Sequence, residues 1–205
     1  VWQHTAILNK RYGSIPMNIG DIYTTNAGLE CQVIHIAKRK KITVKFLITG
    51  TVKEVFSDNL VAGKVKDQYC PSCLGVGFDG DFDKSIVYWT KARQLWRNMM
   101  KRCYSTKDTR GYKGTVVIAP RWHNFALFLE DISTLDNFDK WLEGGDCSKT
   151  RYQLDKDLKG DGTVYSVQTC QFITEHENKS MGAVNARAWD SRYGRKPPVN
   201  RQKQN

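Results

Sequence analysis

Apolar and polar positions alternate with period two over two β-branched runs near the start of the chain, Cys31 to Ala37 and Ile42 to Thr49. The basic run Lys38-Arg39-Lys40-Lys41 joins them, and a third run, Val52 to Phe56, follows a turn at Gly50. Period two marks a strand with one buried face, so residues 21–66 are predicted to form a three-stranded meander of the SH3-like or small-barrel kind. The four basic residues at the hairpin tip are open to two readings, a solvated tip or a phosphate contact.

The period changes over residues 86–104. Trp89, Ala92, Trp96, Met99 and Cys103 recur at steps of three and four, which places one apolar stripe along a helix, while Arg93, Arg97 and Lys101 line another face. A strand at Thr115–Ile118 follows, then a second helix from about Trp122 to Asp131 with Trp122, Phe125, Phe128 and Leu129 as core residues. Residues 67–85, with Pro71, Gly75, Gly77 and Gly80, read as a linker. Two short strands are predicted around a Gly160-Asp161-Gly162 turn, leading into a helix whose start is marked by Thr174 with Glu177 three residues later, a capping box.

These elements make the expected fold class α+β. It comprises a small β domain over 1–66, a linker over 67–85, a mixed region over 86–186 with a strand–strand–helix unit at 152–184, and a basic tail over 187–205. The tail has almost no aliphatic residues around Pro197 and Pro198, which predicts disorder when free.

Charge changes the picture more than size does. The 205 residues include 32 Lys and Arg against 21 Asp and Glu, a formal net charge of +11, which favours a polyanionic partner. Residues 81–121 hold 10 basic and 3 acidic residues, residues 122–186 hold 6 and 11, and residues 187–205 hold 6 and 1. Two basic segments thus bracket an acidic one, as expected if cations hold a phosphate backbone while carboxylates hold a metal. Arg93, Arg97, Lys101, Arg102 and Arg121, with Arg192, Arg195 and Lys196 in the tail, are the candidate DNA contacts; solvated surface is the alternative.

No apolar run is long enough for a membrane-spanning helix, and the first thirty residues show no basic start followed by an apolar stretch, so the expectation is a soluble intracellular protein. Val1 in place of a methionine suggests a processed or trimmed amino terminus. The six cysteines are spread through a chain large enough to build its own core, which favours a reducing compartment. Cys70 and Cys73 form a lone CxxC without a second ligand pair, so zinc is not expected.

Several spaced motifs carry a resemblance. They are Trp96 to Tyr104, then Tyr112, Gly114 and Val116, then Trp122, Phe125 and Phe128, then Leu154-Asp155-Lys156-Asp157, Gly162, Tyr165, Ser166, Thr169, Cys170, Glu177 and Asn178. This order resembles phage-encoded HNH-type homing endonucleases and their relatives, whose ββα-metal (His-Me) finger the 154–178 segment is similar to. The resemblance implies a metal-dependent DNA endonuclease that nicks a strand of duplex DNA in the cytoplasm of an infected bacterial host. It implies Asp155 and Asn178 as ligands of one Mg²⁺ or Mn²⁺ per finger.

Active relatives carry a water-activating histidine after the carboxylate. Here that position is Lys156, and an ammonium is a poor base at neutral pH. Lys156 would instead orient water or neutralise charge in the transition state, and His176 is either the replacement base, a third ligand or a surface histidine at a helix start. Asp157 is a spare carboxylate, expected to cap the turn or pair with a lysine rather than bind the ion. The alternative to an enzyme is a catalytically inactive DNA-binding accessory protein on the same scaffold; a third role is binding to a host nucleic-acid enzyme.

Overall fold

The computed structural model describes residues 16–106 and 114–181. The chain divides between Cys70 and Pro71 into two compact units. Among the described residues no helix is long and apolar enough to cross a membrane.

The first unit is an antiparallel sheet of β1 (Ile22–Thr24), β2 (Glu30–Ile36), β3 (Lys41–Phe46) and β4 (Val52–Phe56), in that spatial order. The alternation seen in sequence becomes its two faces. Cys31 and Val33 of β2 and Ile42, Val44 and Phe46 of β3 are buried, and α1 (Ser57–Val61) adds Leu60 to the same cluster. Strand β1 is additional to the three-stranded meander; it pairs Ile22 with Gln32 and Tyr23 with Cys31. The sheet is not the closed small barrel that the meander suggests, since among the described residues no pairing joins β1 to β4. Among the described residues β1 pairs with β2 alone and β4 with β3 alone, so the two outer strands are not joined.

The second unit is built around α2 (Trp89–Tyr104), whose apolar stripe buries Ala92, Trp96, Met99, Met100 and Cys103. After it come β5 (Val117–Ile118), a 3-10 turn at Pro120–His123, α3 (Phe125–Ile132) and α4 (Phe138–Glu143). Trp96 Nε1 donates to the Trp122 carbonyl at 2.7 Å, so two large rings meet with their polar atom satisfied. Asn124 caps α3 by accepting from the Ala126 N–H at 2.9 Å.

Strand β6 (Tyr152–Asp155) pairs antiparallel with β8 (Gln171–Thr174), and residues 175–181 are helical. The intervening β7 (Val164–Tyr165) does not join this hairpin. It pairs in parallel with β5, and this replaces the tight hairpin expected around Gly160-Asp161-Gly162. Leu154 and Phe172 face the core, where Phe172 stacks on Trp141 at 4.8 Å.

Residues from Pro71 onward are packed rather than spanning as a linker. The Cys73 N–H donates to the Gly77 carbonyl, the Phe78 N–H to His123 and the Phe125 N–H back to Phe78. Phe82 meets Phe125 edge-on at 5.0 Å. Glycine is required at 77 for closeness: a Cβ there would lie 2.7 Å from both the Trp96 ring and the Met100 methyl. Gly77→Ala is therefore expected to destabilise the second unit by about 1–3 kcal/mol, the range for overpacking a core. Urea unfolding followed by tryptophan fluorescence checks this, and an unchanged midpoint would mean that this segment is loosely held.

Candidate functional site

The second face of the β6–β8 hairpin carries three polar side chains and the buried Ile173. Gln153 and Asp155, two residues apart on β6, point to this face, and Gln171 stands directly across from Asp155. The helical residues 175–181 add Asn178, whose Nδ2 donates to Gln153 Oε1 at 3.3 Å. One carboxylate and three amides thus gather where two strands and a helix meet. Asp155 and Gln171 are largely withdrawn from solvent, at 3% and 8% exposure.

Local sequence explains the precision of this corner. The Thr174 hydroxyl accepts from the Glu177 N–H at 3.1 Å, while the Glu177 carboxylate accepts from the Thr174 N–H at 2.9 Å and its hydroxyl at 2.7 Å. This is the capping box read from the sequence. Two more first-turn donors are met by the chain, Glu175 N–H by the Arg151 carbonyl and His176 N–H by that of Ser148, both at 2.8 Å. The Thr174 hydroxyl and N–H hold the Glu177 carboxyl below its usual range, and Lys179, then Arg151, do so for Glu175.

Asp155 Oδ2 accepts the N–H groups of Asp157 at 3.1 Å and Leu158 at 2.9 Å, which bends the chain out of β6. Among the described residues, Asp155 Oδ1 and Asn178 Oδ1 accept no hydrogen bond. Carboxylate and amide oxygens are the hard donor type that Mg²⁺ and Mn²⁺ take, with water and phosphate oxygens completing the shell. Among the described residues no three His, Cys, Asp or Glu side chains gather as a metal cage. Gln171 Nε2 is buried with no hydrogen-bond partner, a donor left for an acceptor oxygen at this same face.

Lys156 lies elsewhere. As the residue after Asp155 it turns to the core side, 3% exposed, with its ammonium 2.6 Å from Asp157 Oδ1 and 5.5 Å from the centre of the Tyr165 ring. Asp157 therefore pairs with a lysine, one of the two roles expected for it. Burial pushes the Cys103 thiol up to about 11 and Cys170 up to about 12, and the Lys156 charge offsets this only in part. His176 is exposed and two residues from Asn178, a spacing that sends side chains to opposite sides of a helix. The structure thus places Asp155 two residues along β6 from Gln153, the partner of Asn178, while Lys156 pairs with Asp157 and His176 projects from another side of the helix than Asn178.

The basic candidates divide in the same way. Arg93 donates to Asp79 at 2.5 Å and lies 4.2 Å over the Phe125 ring, so its guanidinium is held within the unit. Arg121 makes a two-point bond to Asp131 and a third contact to Glu130, and these hydrogen bonds raise its pKa. Arg97, Lys101 and Arg102 are exposed on α2. Arg192, Arg195 and Lys196 lie outside the described residues, as does the whole tail.

Comparison with protein-family models, curated proteins and solved structures gives no match.

Gln153 and Gln171 join the site without being sequence candidates. Gln153 is within reach of the period-two rule, being two positions before Asp155. Gln171 is not, because its place depends on a register set across a 15-residue connection. All six cysteines are free thiols, and the exposed Cys147 is lowered by its hydrogen bond to Thr150, whereas burial raises Cys31, Cys103 and Cys170. Cys147 is expected to alkylate with iodoacetamide at pH 7.5 well before those three, as read by peptide mass spectrometry; equal rates would contradict the packing around the buried thiols.

Proposed function

We propose that this chain is a metal-dependent DNA endonuclease of the HNH type that nicks duplex DNA, phage-encoded as its sequence resemblance implies. The observation that carries the reading is the strand–strand–helix unit itself, with Asp155 at the end of β6 and Asn178 on the helical segment after β8, bonded to Gln153 of β6. A bound Mg²⁺ would polarise the scissile phosphodiester and stabilise the departing 3′ oxygen. The chain's own contribution is to hold that corner rigid. Asp155 is fixed by two backbone N–H groups and Asn178 by Gln153. The exposed Arg97, Lys101 and Arg102 supply cations for the backbone of the DNA.

One observation favours the second reading, a DNA-binding accessory protein without cleavage. Lys156 stands where active relatives keep a base, and it is buried in an ion pair. The experiment that separates the two is nicking of supercoiled plasmid by the pure full-length protein with Mg²⁺ or Mn²⁺, beside an EDTA control. Nicking that needs the metal supports the enzyme. Salt-sensitive DNA binding with no nicking makes the chain a binding protein.

A further inference from the structure

The hairpin between β2 and β3 is turned by residues that the turn disfavours. Arg39 and Lys40 sit at φ 60° and 62°, and the Lys41 N–H closes the turn on the Lys38 carbonyl at 3.4 Å. Positive φ at both central residues is the signature of a type I′ turn, where Asn-Gly is relaxed and side chains with a full Cβ are strained. The chain instead keeps two long cations there.

Their charge is only half neutralised. Lys40 pairs with Asp58 at 3.0 Å and Lys41 with Glu54 at 2.7 Å, all four side chains being largely exposed. Among the described residues no carboxylate pairs with Lys38 or Arg39, and both are exposed. Exposed ion pairs contribute little, and the backbone bonds of the turn, among them the Ser57 N–H to the Lys40 carbonyl at 2.9 Å, would be made equally by Asn-Gly, so the long side chains recover none of the strain. Strain retained without a structural return points to a use for the side chains.

We propose that the Lys38–Lys41 tip is a phosphate-contacting finger for duplex DNA, a second contact separate from the Asp155 corner. The tip lies at the end of the two central strands of the sheet, with β4 ending beside it at Phe56, so its cations face outward to meet phosphates on the surface of a duplex. The choice of DNA over another polyanion rests on the endonuclease reading; the phosphate contact rests on the tip alone.

The test measures binding of the full-length protein to a 25-base-pair DNA of arbitrary sequence by fluorescence anisotropy, over a series of KCl concentrations. Arg39→Asn with Lys40→Gly in one variant relaxes the turn and removes two cations. Lys84→Gln with Lys149→Gln removes two exposed cations elsewhere and serves as the charge-matched control. The tip variant is expected to bind roughly tenfold more weakly at low salt. The slope of log affinity against log salt should become shallower by about 1 to 2, at roughly 0.9 for each phosphate no longer neutralised. Its calorimetric midpoint is expected to rise by about 4 °C as the strain is relieved.

Equal binding by tip and control variants overturns the proposal, as does an unchanged or lowered midpoint, which would remove the strain that motivates it. Tighter binding by the wild type to duplex RNA of the same length would make RNA the partner and overturn the choice of DNA. Absence of any duplex binding by the wild type overturns it together with the DNA reading of the whole chain. Binding that responds to the tip while plasmid nicking is absent leaves the tip standing and counts against the enzyme alone.

Discussion

Asp155→Asn is expected to lower metal-dependent nicking by at least about 100-fold while leaving the thermal midpoint within about 2 °C of the wild type. The side chain has two roles that the substitution separates. Its Oδ2 accepts the Asp157 and Leu158 N–H groups and so shapes the exit from β6. An asparagine oxygen can accept both bonds, so the turn survives. What the amide cannot supply is the negative charge that binds a divalent cation. Asp155→Ala loses both functions: two N–H groups lose their acceptor, and a further destabilisation of about 1–2 kcal/mol is expected. Plasmid nicking and thermal unfolding of the two variants side by side make the distinction. Full activity in Asp155→Asn would remove this carboxylate from the site.

The largest stability effect is expected away from that corner, at Asp131. This carboxylate is 8% exposed on α3 and accepts from Trp122 Nε1 at 2.8 Å as well as from Arg121 at two points. Asp131→Ala leaves the indole N–H of a ring that is 1% exposed without its acceptor. The expected loss is about 2–3 kcal/mol, carried by the orphaned indole and the vacated space, since the half-exposed guanidinium can rehydrate. Asp131→Asn keeps an oxygen for Trp122 and should fall between wild type and Ala. Urea unfolding followed by tryptophan emission is the measurement, because Trp89, Trp96, Trp122 and Trp141 all lie in the second unit. Equal stability of the two variants would mean that the Trp122 bond contributes nothing.

Legibility from sequence followed the range of the interactions. The α2 stripe, the β2–β3 alternation and the Thr174–Glu177 capping box depend on neighbours within one element or one turn, and all three are present in the structure. The pairing of β7 with β5 involves two residues on each side, separated by more than forty positions, and no local period announces such a contact. Glycines at 75, 77 and 80 read as loosening the chain. At 77 the absent side chain instead lets the backbone reach Trp96. Arg93 and Arg121 read as free cations because their partners, Asp79 and Asp131, are 14 and 10 residues away and belong to other elements. At the candidate site, the choice of Asp155 and Asn178 came from resemblance. Gln171 needed the hairpin register before it could be seen.

The departure of β7 from its own hairpin has a consequence for inheritance. The loop between Asp155 and Gln171 is stitched to β5, while the hairpin's inner face rests on Trp141 of α4. A gene fragment for residues 152–184 alone would encode a strand without its partner and a phenylalanine without its ring to stack on. Recombination that moved this corner between proteins would have to carry everything from about residue 71 onward, so the seam at Cys70 and Pro71 is the natural breakpoint. The sheet before that seam is the part free to be exchanged, and with it the basic tip.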